Sequence, residues 1–186
     1  MASFYDEWSA ARGELPVDTM PNARLVIDET MTLLAENPRR VIELTRGLTP
    51  AQLRQAPGRD EWSANELLAH LRCCADVWGG NIARIIDEDV PKIRAVSPRG
   101  WMKRTDYQDL EFHTSMHAFA AQRDSLLGLL GRLTVDGWRR TARVTRSGRV
   151  STETVLSYAE RLAEHERHHL DQFVRILNVV KASQSV

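Results

Sequence analysis

The chain has 186 residues, 42% of them apolar, with 25 basic and 25 acidic side chains and a formal net charge of zero. That is enough chain to bury one substantial core, and the balanced charge argues against a large nucleic-acid footprint, which rests on clustered Lys and Arg facing phosphates. No apolar run approaches the ~18 residues that span a bilayer, and the N-terminus lacks the basic-then-apolar layout of a secretory signal. The expectation is one cytoplasmic domain with no membrane and no nucleic-acid partner. Cys73 and Cys74 are adjacent in a helical pattern, where neighbouring side chains diverge, so reduced thiols are expected.

Residues 1–20 hold a short amphipathic piece that prolines interrupt, an N-terminal arm. Residues 22–36 have helical spacing, and Asn37 followed by Pro38 offers an N-cap and an N1 proline for a new helix to about Gly47. This divides the chain into an arm and extra helix over 1–36, packed on the same domain, and a helical bundle over 37–186. Thr49 and Pro50 repeat the cap-then-proline signal for one turn through Leu53. Ser63 and Glu66 then have capping-box spacing, with Trp62 and Leu67 placed as a hydrophobic staple, so a helix is predicted from Ser63 to about Asp87.

Residues 88–105 contain Pro91, Pro98 and Gly100 and show no sustained period, which predicts a long connection or lid. The stripe Phe112, Met116, Phe119, Arg123, Leu126, Leu130 and Leu133 predicts a helix over 106–133. Residues 139–150 carry five arginines, a run of charge expected to be solvated, and form a loop or a short hairpin around Ser147 and Gly148. The last helix is predicted from near Ser151 to about Lys181. The fold class is all-α.

That last helix raises the chemical question, because AEHERHHLDQF at 163–173 holds three histidines. His165 and His169 are four apart and share a face, whereas His168 is rotated off it. Tyr158, Leu162, His165, His169, Gln172, Ile176 and Val179 alternate steps of four and three, a stripe that a bundle helix turns toward its partners. Imidazoles in a buried stripe need partners to offset desolvation. His70 shares the inner stripe of its own helix with Leu67, Cys74 and Val77. An i,i+4 pair from one helix and a single histidine from a facing one can supply three nitrogens to a metal and leave a position open.

Trp62-Ser63, Glu66 and His70 on one helix, with His165-Glu-Arg-His-His169-Leu-Asp-Gln172 on the last, resemble the DinB/YfiT superfamily of four-helix-bundle metalloenzymes over roughly residues 37–180. The resemblance implies a four-helix bundle with a three-histidine centre at one end, its ligands His70, His165 and His169. It also implies one divalent ion, with zinc, nickel, iron and manganese all suited to imidazole and water, and a small-molecule substrate. Activities assigned within the superfamily include thiol S-transferases, with a low-molecular-weight thiol as second cofactor, and hydrolytic or isomerising enzymes. A non-enzymatic metal-binding or dimerisation module of the same fold, with the chain as a homodimer, is the alternative.

Four further readings stand beside this one. Cys74 is either a fourth, thiolate ligand or a small buried residue. Arg123 either binds an anionic group of the substrate or pairs with an acid such as Glu66 or Asp76. His165 to His169 is also a literal HExxH string, in which Glu166 would be a protease's general base, but that reading needs a further downstream ligand and a sheet-edge cleft, and neither is evident. His113 and His117 lie one step round from their helix's stripe and are expected at the surface.

Overall fold

Helix α1 runs unbroken over Ala23–Thr45 with Pro38 inside it, so the helix start expected at Asn37 does not occur. Asn37 is 2% exposed, and its side chain reaches the last helix, donating from Nδ2 to Glu166 Oε2 at 3.2 Å and to Ala163 O at 3.4 Å. A capping amide serves a helix end, whereas here it satisfies a buried carboxylate, and Pro38 removes only one backbone donor from the ladder. The computed structural model describes residues 23–182. The predicted N-terminal arm falls outside the described residues.

The single turn α2 is Pro50–Arg54, and Thr49 caps it in a box with Gln52. Helix α3, Ala64–Cys74, begins at the predicted box: Glu66 Oε2 accepts from Ser63 N at 2.8 Å, and Ser63 Oγ accepts from Glu66 N at 3.3 Å. It continues through a π-helical turn, Ala75–Gly79, into α4, Gly80–Asp87. The wider π turn moves the register on, so that Trp78 is 5% exposed while Val77 is only half-buried.

Strand β1 (Lys92–Arg94) and the short α5 (Pro98–Met102) occupy the predicted long connection. Helix α6, Phe112–Leu130, starts six residues later than expected, capped by the Glu111 side chain, and α7 is Val135–Arg139. Strands β2 (Thr141–Arg146) and β3 (Arg149–Thr154) form the hairpin, antiparallel to each other, with β1 parallel to β2. Ser147 and Gly148 turn it with φ of 47° and 80°, the paired positive values of a tight hairpin turn. Pairing in β3 delays the last helix, α8, which is Val155–Ala182.

Helices α1, α3 with its continuation, α6 and α8 form the bundle, in which α1 packs on α8 and α6, and α3 also packs on α6 and α8. The all-α bundle expected from the sequence is the architecture found, with the small sheet packed beside it through Ile93, Ala142 and Val144. Asp76 ties the connection to the π turn, accepting from Trp101 Nε1 at 3.1 Å and Tyr107 OH at 3.0 Å. No helix among the described residues is long and apolar enough to cross a membrane.

Candidate metal centre

The structure brings His70 of α3 against His165 and His169 of α8. His165 Nε2 lies 3.5 Å from His70 Nε2 and 3.2 Å from His169 Nε2. Around a four-coordinate ion with bonds of ~2.05 Å, nitrogen donors sit ~3.3 Å apart, and both separations lie close to that spacing. His70 is 4% and His169 9% exposed, and His165 is half-buried. Trp78 packs edge-on to His165 at 4.9 Å between ring centroids, and Trp62 lies 5.0 Å from His70.

All three imidazoles are held neutral. Burial and the neighbouring His169 lower His70 from 6.5 to about 3. Burial, then His169 and His70, lower His165 to about 2. Burial lowers His169 to about 4, against an opposing hydrogen bond to Gln172. His169 Nδ1 donates to Gln172 Oε1 at 2.9 Å, which keeps the proton on that nitrogen and turns the Nε2 lone pair into the cluster. His70 Nδ1 has no hydrogen-bond partner among the described residues. Lone pairs aimed at one point repel unless a proton or cation lies between them, so this donor set fits a divalent ion.

Cys74 also faces the cluster, with Sγ 3.5 Å from His70 Nε2 and 3.8 Å from His165 Nδ1. Complete burial raises its thiol well above the usual range. His113 and His117 are exposed, as expected, and the exposed His168 ring lies edge-on to His169 at 5.9 Å between centroids.

Arg123 is 2% exposed and pairs with Glu166 of α8, which is fully buried. The sequence suggested Glu66 or Asp76 as the acid, but Glu66 closes the α3 cap and Asp76 holds the connection. Glu166 faces inward because the buried face of α8 is wider than the predicted stripe: Ala159, Glu166, Phe173 and Val180, seven residues apart, are all at 0% exposure. The same row buries Val180 and leaves Val179 45% exposed. Burial pushes the Glu166 carboxyl above its ordinary range, with Arg123 and then the Asn37 amide opposing. With both oxygens engaged, by Arg123 and by Asn37, Glu166 is not placed to act as a protease's general base.

Sequence reasoning missed Trp78, whose position depends on the π turn, and the exposed Arg99 of α5, whose guanidinium lies over the Trp62 ring at 4.9 Å. Gln172 stood in the predicted stripe, and its contact with His169 follows from their spacing of three residues.

A family model described as the DinB superfamily matches residues 33–173, and the chain belongs to that superfamily. Among solved structures it is similar to YfiT from Bacillus subtilis, described as a probable metal-dependent hydrolase with an unusual four-helix bundle topology. The two share 16% identity over 89% of each chain, with a TM-score of 0.71. No curated protein matches the chain.

Proposed function

We propose that this protein is a metal-dependent hydrolase of a small molecule, with one divalent ion held by His70, His165 and His169. The observation that carries the reading is the meeting of three neutral imidazole nitrogens, 3.2 and 3.5 Å apart, from two facing helices. When bound, the ion would supply Lewis acidity that lowers the pKa of a water or thiol ligand and so provides a nucleophile near neutral pH. YfiT's description as a probable metal-dependent hydrolase favours water. A low-molecular-weight thiol in its place would make the same centre a thiol S-transferase.

The chain's own residues orient the donors and shape the approach. Gln172 fixes the His169 tautomer, and the Trp62 and Trp78 rings pack against His70 and His165. Arg123 and Glu166 neutralise each other inside the bundle. We therefore assign recognition of an anionic substrate group to Arg99, whose charge also lowers the pKa of all three histidines. A cavity of about 790 Å³ opens beside the start of α3, lined by Arg54, Asp60, Trp62, Asn65 and Gln108 among others. Trp62 is common to this cavity and to the centre.

The test is a paired screen of the zinc- and manganese-loaded protein, one arm with small esters and amides, the other with a low-molecular-weight thiol and model electrophiles. Turnover in the first arm that chelation abolishes and metal restores is the expected result. Turnover confined to the second arm replaces hydrolysis by S-transfer, and silence in both arms with the ion bound overturns the enzymatic reading.

A further inference from the structure

We propose that Cys74 is a protein ligand of the same ion, adding a thiolate to the imidazoles. The inference rests on the histidine reading above and extends its donor set to four protein ligands, so that the water or thiol of that reading would join as a fifth. Cys74 stands one helical turn beyond His70, so α3 offers a His/Cys pair at i,i+4 to face the His165/His169 pair that α8 offers at the same spacing. The side chain has no solvent exposure. Its sulfur lies 3.5 Å from His70 Nε2, and bonds of ~2.05 Å to nitrogen and ~2.3 Å to sulfur place neighbouring N and S donors ~3.5 Å apart around a tetrahedral ion. His70, Cys74 and His165 each offer a donor atom, and these atoms all lie within 4.8 Å of one another.

Cys73 provides the contrast within the same turn of helix. Its sulfur faces the Thr105 hydroxyl at 3.8 Å, and it packs with Ala69 and Met102 on another side of α3. Both thiols are buried, so burial alone does not distinguish them; only Cys74 is aimed at nitrogen donors. The helix also widens into its π turn at Ala75, directly after Cys74, and such turns are frequent at functional sites.

Two consequences separate a thiolate ligand from a bystander. A soft sulfur donor shifts preference toward zinc and away from manganese. On uptake of the ion, the S–H bond breaks, its electron pair forms the sulfur–metal bond and its proton passes to solvent, whereas neutral imidazoles release none.

Cobalt(II) loaded into the metal-free protein tests this directly. Wild type and Cys73→Ser are expected to show a near-ultraviolet thiolate-to-cobalt charge-transfer band and release of about one proton per ion bound. Cys74→Ser should bind cobalt without the band and without the proton, and lose zinc affinity about tenfold or more. If the wild type binds one cobalt with no such band, or Cys74→Ser keeps it, Cys74 is not a ligand and at most accepts a hydrogen bond from His165 Nδ1, while the three-histidine centre stands. If no cobalt binds at all, both readings fall.

Discussion

Arg123 of α6 and Glu166 of α8 form an ion pair in the bundle interior, at 2% and 0% exposure, and the Asn37 amide of α1 completes it. Three of the four bundle helices therefore meet at one carboxylate, next to His165 in sequence. Removing one partner of a buried pair leaves the other charge uncompensated, at a cost of about 3–5 kcal/mol. Arg123→Met is expected to lower the denaturation midpoint accordingly, and Arg123→Met with Glu166→Gln to recover part of the loss. A stable Arg123→Met with impaired substrate binding would instead return Arg123 to the substrate side.

The Ser63 and Glu66 box caps the helix that carries His70. Ser63→Ala removes the acceptor for the Glu66 backbone N–H and is expected to destabilise the protein by about 1 kcal/mol. Equilibrium denaturation of metal-free and metal-loaded protein checks this, and an unchanged midpoint in both would show that the cap contributes nothing.

Metal stoichiometry tests the histidine assignment independently of turnover. Alanine at His70, His165 or His169 is expected to reduce retained metal, after dialysis against a weak chelator, from about one ion per chain to well below it. Exposed His168 serves as the control. Loss at His168 with retention at the other three would sink the assignment.

The histidines also set an acid limit. Their folded-state pKa values, about 3 for His70, 2 for His165 and 4 for His169, lie below the ordinary 6.5, so below pH 6.5 the unfolded chain binds protons that the folded one refuses. Stability of the metal-free protein is then full above pH 6.5 and declines as pH falls from there toward the folded values. Denaturation midpoints at pH 7.5 and 5 should differ in that direction, and less so in His165→Gln. A midpoint that does not move between them would show that the rings are not buried neutral.

Much of this was legible in the chain because it is local. The Ser63 box, the i,i+4 spacing of His165 and His169 and the stripe through Phe112, Phe119 and Leu126 follow from helical periodicity and short-range capping, which tertiary contacts here reinforce. The hairpin at Ser147 and Gly148 was half legible, since turn residues mark a reversal but not the strands that will pair.

What only the tertiary structure decided depends on which distant groups meet. Asn37 and Pro38 carry a helix-start signal, yet the carboxylate of Glu166 takes the Asn37 amide, since a buried charge requires donors more than a surface helix end does. Arg123 had to find an acid, but which acid followed from how α8 seats in the bundle, with Glu166 on its buried row between Ala159 and Phe173. The π turn that buries Trp78 and begins just past Cys74 leaves no mark in residue spacing, because it inserts into a ladder whose period the sequence can only assume.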